Sequence, residues 1–304
     1  MLFRRIFAGV DSGKVDRVTE KQRRLDGVCA MIWNRVRRNH PLVHCITNYV
    51  TANDCANLLL AADASPIMAD DPEEAAQIAE MSQGVVLNLG VPNPRKIRAM
   101  EIAALTAQGL GRPVVLDPVG VGCSEMRMQA ASGILKRAKV SLIRGNAGEI
   151  RTLLTNGVAR RGVDSDEMPA DTTAQEEEKQ QAAAALAREL AKKYGTVVLL
   201  TGKTDIATDG TRTIWVTNGH EMMRYVTGAG CMLSALAGAC LAAAPDQPLE
   251  AALTAACAMG ICGERAHARL TSRDGNAGYR GYIIDEIYHL TAERLEREAK
   301  YEDQ

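Results

Sequence analysis

Aromatic side chains are nearly missing from this chain. Phe occurs twice, Trp twice, and all aromatics together make 4% of 304 residues. Such a chain lacks stacking platforms for single-stranded nucleic acid, and aliphatic side chains with alanine must fill its interior. Net charge is missing too: 36 Lys and Arg against 37 Asp and Glu leave a formal charge of -1. This gives no reason to expect nucleic acid or an anionic membrane as a partner. No stretch reaches the ~18 uninterrupted apolar residues of a membrane span. Eight cysteines are present, at 29, 45, 55, 123, 231, 240, 257 and 262. They form no CxxC pair and no zinc-finger spacing with histidine. His40, His44, His220, His267 and His289 lack HxxxH spacing, so none is assigned to a metal. Free thiols in apolar runs fit a reducing, cytoplasmic setting. Seven of the eight read as buried and inert; Cys231 stands apart.

Hydrophobic residues make 46% of the chain, enough for a large core. Residues 1–20 read as a flexible N-terminal extension without the apolar core of a signal peptide. A helix is expected over Glu20–Arg38. Short apolar strands then alternate with helices. The strands are Ser65–Met68, Val85–Leu89, Val114–Leu116, Ser141–Ile143, Val197–Leu200 and Thr213–Val216. The helices are Ala52–Ala62, Glu73–Met81, Pro94–Gln108, Glu125–Ala138, Ala147–Leu154 and Gln175–Tyr194. This pattern predicts an α/β fold with a mostly parallel central sheet and helices on both faces. Cys231–Leu270 reads as two helices, and Ile283–Lys300 as a last amphipathic one. The polar stretch 160–181 reads as a solvated loop running into a charged helix start. The continuous alternation predicts one domain over 21–304.

Chemistry concentrates at the ends of the strands, where ligands bind in open parallel sheets. The segment Val226-Thr227-Gly228-Ala229-Gly230-Cys231 joins a strand-like region to an alanine-rich helix expected to begin at Cys231. Its small residues let a ligand approach backbone N–H groups at the positive end of the helix, a fit for phosphate. A thiol there is expected to have a lowered pKa, making Cys231 a base or nucleophile. Asp117 follows the strand PVVLD and either holds Mg²⁺ through water or caps the next turn. Arg144 suits phosphate oxygens. Asn146 and Glu149 have the spacing of a helix capping box, and Glu149 could also serve Mg²⁺. Thr201 before Gly202 is either a nucleotide contact or a turn residue. Thr47, Asn48 and Thr51 suit a helix cap. Met68 by its spacing alone belongs to the core.

PLVHCITNYVTAN, ASPIMA, LNLG, VVLDPVGVG, LIRGNAGEI, RGVDS, LLTG, NGH and VTGAGCMLSA occur here in order. Over residues 35 to 270 the chain resembles the hydroxyethylthiazole kinases, which are ribokinase-like. The resemblance implies a three-layer ribokinase-like fold and ATP- and Mg²⁺-dependent phosphorylation of 4-methyl-5-(2-hydroxyethyl)thiazole, a step of thiamine salvage. It implies ATP contacts at Arg144, Thr201 and Asn146, and a metal-binding acidic pair of Asp117 and Glu149. It implies thiazole contacts at Met68, Gly228 and Asn48. Gly228, Ala229, Gly230 and Cys231 become the catalytic turn, with Cys231 where related kinases carry an aspartate base. A homotrimer with the thiazole site near the subunit boundary also follows. The chain departs from the family at Gly278-Tyr279-Arg280-Gly281-Tyr282, in place of Gly-Pro-Gly-Ser-Phe, and at Cys123-Ser124-Glu125-Met126-Arg127, which keeps Arg127 of an Ala-Thr-x-x-Arg theme. A kinase for another alcohol remains the nearest rival. A Rossmann oxidoreductase is disfavoured by the lack of GxGxxG after the first strand. A non-catalytic sensor on the same fold is the third alternative.

Overall fold

The structure is a computed structural model that describes Leu25, residues 27–157 and residues 173–304. The expected extension over 1–20, the start of the first expected helix and most of the polar stretch lie outside these residues.

Nine strands form one sheet among the described residues, in the order β2-β1-β3-β4-β5-β6-β7-β8-β9. They are β1 (Leu42–Ile46), β2 (Ser65–Ile67), β3 (Gly84–Asn88), β4 (Val114–Asp117), β5 (Leu142–Asn146), β6 (Val197–Thr201), β7 (Asp205–Thr208), β8 (Thr213–Val216) and β9 (Tyr301–Asp303). β1 to β6 pair in parallel, and β6 to β9 continue as antiparallel neighbours. The helices that bear on the site are α1 (Val28–Asn39), α2 (Ala52–Ala61), α3 (Ala75–Met81), α4 (Pro94–Gly109), α5 (Glu125–Arg137), α6 (Ala147–Thr155), α7 (Thr173–Tyr194) and α8 (Ala229–Ala243). Three more follow: α9 (Pro248–Ala268), α10 (Asn276–His289) and α11 (Ala292–Glu298).

Strand side chains alternate strictly between two cores, because successive residues of a strand point to opposite faces. Val43, Cys45, Val86, Val115, Leu142, Val197 and Leu199 pack with α1, α2, α8 and α9. Ile46, Val85, Leu87, Val114, Leu116, Ile143, Val198 and Leu200 pack with α4 to α7. The expected helices on both faces are therefore present, and no described helix is long and apolar enough to cross a membrane.

Three strands escaped the sequence reading: β1, β7 and β9. The expected C-terminal helix is broken at Leu290–Thr291, where Thr291 caps α11 by accepting a hydrogen bond from the Arg294 N–H at 3.2 Å. The strand carrying Arg144 is longer than expected. It runs to Asn146 because β6 continues to pair with it, Arg144 opposite Leu199 and Asn146 opposite Thr201. The approach to the glycine turn is a short 3₁₀ stretch, Glu221–Tyr225, instead of a strand, and α8 begins at Ala229 instead of Cys231.

Candidate active site

The parallel register places Asn88 beside Asp117 at the carboxyl ends of β3 and β4, and Asn146 beside Thr201 at those of β5 and β6, with Arg144 two residues before the end of β5. The start of α8 closes this edge from one face. Gly228 caps α8 with φ of 89°, a left-handed backbone that favours glycine, and the Thr51 side chain fills the space where its Cβ would stand. The leading N–H groups of a helix have no partner within it.

Asp117 is fully buried. Its Oδ2 accepts hydrogen bonds from Asn88 Nδ2 (2.9 Å) and Ser234 Oγ (2.7 Å) and lies 3.8 Å from Arg144 Nη1. Its Oδ1 is buried without a partner, and so is Nε of Arg144. Arg144 Nη2 donates to Thr201 Oγ1 at 2.7 Å. The Arg144 guanidinium also lies over Gly230: a Cβ there would stand 2.6 Å from Cζ. An arginine, a carboxylate and the N-terminal turn of a helix thus meet, with one acceptor and one donor still unsatisfied.

Burial pushes the Asp117 carboxyl up to about 6; Arg144 opposes that shift, and Glu149 adds to it. The folded pKa lies above the unfolded one, so the native state holds this proton more tightly. The stability this provides is full below about pH 4 and is lost as pH rises through about 6, by roughly 3 kcal/mol at most. Asp117→Asn removes that segment of pH dependence. In urea melts without metal, the variant-minus-wild-type stability difference is expected to rise between about pH 4 and 6. Asp205, raised similarly by burial, stays in both proteins and cancels.

Glu149 forms the expected capping box of α6: its N–H donates to Asn146 Oδ1, and its Oε2 accepts from the Asn146 N–H, each at 2.9 Å. Its Oε1 accepts from the Gly120 N–H at 2.9 Å, which ties the turn after Asp117 to α6. Asn146 is thus a capping residue in this geometry. An unsatisfied buried carboxylate oxygen on Asp117 and a second carboxylate electrostatically coupled to it suit a hard cation held partly through water. The residues present fit Mg²⁺.

Cys231 corrects one expectation. Its thiol pKa is raised, not lowered, by burial first and by the Asp117 charge second; hydrogen bonds with Thr51 and Asn88 and the Arg144 charge pull the other way. The helix start does not outweigh desolvation. Its Sγ accepts from Asn88 Nδ2 at 3.3 Å and from Asn48 Nδ2 at 3.6 Å. Of the other seven cysteines, six are buried as expected, whereas Cys123 is exposed.

Asn48 Oδ1 accepts from the Thr51 N–H at 3.1 Å, while Thr51 makes no side-chain cap of its own. Met68 is not core: it stands just past β2 and is 37% exposed. Asn88, Ser234 and Lys96 were not singled out from sequence. Asn88 is saturated: Oδ1 accepts from Asn48 Nδ2 (3.0 Å) and the Gly90 N–H (2.9 Å), and Nδ2 serves Asp117 and Cys231. Its place at the end of a buried strand, like that of Asp117, was the available signal.

The fold is that of ribokinase-like α/β enzymes. A pyridoxal kinase from Staphylococcus aureus, solved with AMP-PCP and pyridoxal, shares it at a TM-score of 0.55 and 15% identity, covering 86% of this chain and 97% of that one. The sequence profile of the hydroxyethylthiazole kinase family matches residues 33–293. The chain belongs to that family, and it is a kinase. The hydroxyethylthiazole kinase of Clostridium acetobutylicum is 45% identical over 88% of this chain and 96% of its own length. That of Methanobrevibacter smithii is 39% identical over 91% and 97%. The solved hydroxyethylthiazole kinase protein from Pyrococcus horikoshii superposes with a TM-score of 0.79 at 35% identity, covering 91% of this chain and 98% of that one.

Proposed function

We propose that the protein transfers the γ-phosphoryl group of ATP to the primary hydroxyl of 4-methyl-5-(2-hydroxyethyl)thiazole, with Mg²⁺, in the cytoplasm and as a homotrimer. The observation that carries this reading is the pair of unsatisfied buried atoms, Arg144 Nε and Asp117 Oδ1, beside the glycine turn. An anion answers the first and a cation the second.

Arg144, held by Thr201, and the turn Gly228-Ala229-Gly230 bind the phosphates, with Asn146 fixing the end of β5. Asn48, Met68 and Gly228 receive the thiazole. Asp117 and Glu149 would hold Mg²⁺, which when bound offsets phosphate charge. The hydroxyl oxygen attacks the γ-phosphorus as the bond to the β-phosphate oxygen breaks. Charge on the attacking oxygen builds late in a loose transition state, so an early proton acceptor is not required. The half-buried, neutral Cys231 thiol then serves to orient the hydroxyl, and the proton leaves late onto the transferred phosphoryl oxygens.

Cys231→Ala is expected to lower kcat by about 30-fold, less than the loss of a strong base would. Positioning leaves the wild-type kcat without an alkaline limb that follows thiol ionisation; a limb that disappears in Cys231→Ala would make Cys231 the base. The reading as a whole is tested by ADP release with MgATP and hydroxyethylthiazole, hydroxymethylpyrimidine, pyridoxal or no acceptor. Thiazole-dependent, Mg²⁺-dependent release supports it. Release only with another acceptor moves the substrate, and no release with any acceptor favours a sensor.

A further inference from the structure

Lys96 is a buried cation in an unfavourable place. It is 4% exposed and sits in the first turn of α4, at the positive end of the helix, where a cation is disfavoured. Among the described residues its ammonium makes one hydrogen bond, from Nζ to the Gly90 carbonyl at 3.1 Å, and no ion pair. Burial lowers its pKa to about 8, against the raising influence of Asp70. A residue kept there at such cost is expected to stabilise something else.

What it grips is strained. Val91 has φ of 47°, rare for a β-branched residue and rarer still before a proline, here Pro92. Strain of this kind persists only where the surroundings over-determine it. Two cations do so. Lys96 holds the Gly90 carbonyl, and Arg127 Nη1 donates to the Leu89 carbonyl at 2.7 Å and to that of Val119. The turn they hold carries the site. The Gly90 N–H donates to Asn88 Oδ1, and a Cβ on Gly90 would stand 2.6 Å from Asn48 Nδ2. Asn88 in turn contacts Asp117 and Cys231.

We infer that Lys96 is a positioning residue for the phosphoryl transfer, holding the strained Leu89-Gly90-Val91 turn so that Asn88 keeps Asp117 and Cys231 in register. This rests on the function proposed above, and its test separates the two. Wild type, K96M and K96R are compared for kcat, for KM of ATP and thiazole, and for melting temperature. Iodoacetamide labelling of the Cys231 peptide, read by mass spectrometry beside the exposed Cys123 peptide, reports the register without any acceptor. K96M is expected to lose about 20-fold in kcat with KM for ATP within about two-fold, and K96R to return to within about three-fold of wild type. Cys231 labelling is expected to change by at least about five-fold in K96M while Cys123 labelling does not. Wild-type kcat and labelling in K96M would overturn the inference. So would K96R as impaired as K96M, since that marks a purely structural role. Should K96M not fold, K96Q carries the same comparison. A wild-type enzyme inactive on thiazole sinks the proposed function, while the labelling still decides the role of Lys96.

Discussion

Gly230→Ala is expected to lower kcat by about 100-fold and to leave the melting temperature within a few degrees of wild type. Gly230 lies inside α8, and its backbone is not left-handed. Alanine is the better helix former by about 1 kcal/mol, so the fold has no objection to the methyl group. The guanidinium of Arg144 does: the new Cβ would stand 2.6 Å from its Cζ and Nη2. Arg144 must then leave Thr201 and Asp117. A displacement near 1 Å costs about 100-fold, comparable to the loss of one donor at the developing charge. Steady-state kinetics with a thermal melt checks this; a variant with near wild-type kcat would remove Gly230 and Arg144 from the phosphate path.

Arg144→Ala is expected to raise KM for ATP by about 30-fold and to lower kcat by about 100-fold. It also removes a charge that lowers the Asp117 pKa. The acid limb of the kcat/KM profile should therefore move to higher pH, since a carboxyl without its cation protonates earlier on acidification. A pH–rate profile of the variant reads this directly, and an unmoved limb would detach Asp117 from the titration. The double variant should behave like Arg144→Ala alone, because the methyl group at 230 acts only through the guanidinium. Additive losses would separate the two residues.

Much of this site is legible in the sequence. Buried parallel strands are apolar to their last residue, so a charged residue closing one is conspicuous. Asp117 after Val-Val-Leu and Arg144 after Leu-Ile stand out this way, and the structure brings both together. Glu149 was read correctly as a box partner from spacing alone, since capping is local. The sign of the Cys231 shift was not legible, because it depends on how deeply the thiol is buried and on Asp117, far away in sequence. Asn88 was overlooked because an amide carries no charge to flag it. β1 was overlooked because His44 interrupts its apolar run; in the structure the ring is buried, with Nε2 2.7 Å from the Ala69 carbonyl. Met68 was misread because β2 is an edge strand only three residues long, whose exposure no spacing rule captures.

One further consequence follows from α8. From Met232 to Leu241 every residue of this helix is buried, and Gly238 lets it lie against Val86 and Val43 of the sheet. Its first turn carries Gly230 and Cys231. Helices that open by local unfolding are those with a solvated face, and α8 has none along this stretch. The glycine turn, itself only half-buried, is therefore backed by a helix that does not open on its own. The amides from Met232 to Leu241 belong to the last cooperative unit to open, so the backing of the turn lasts as long as the fold itself.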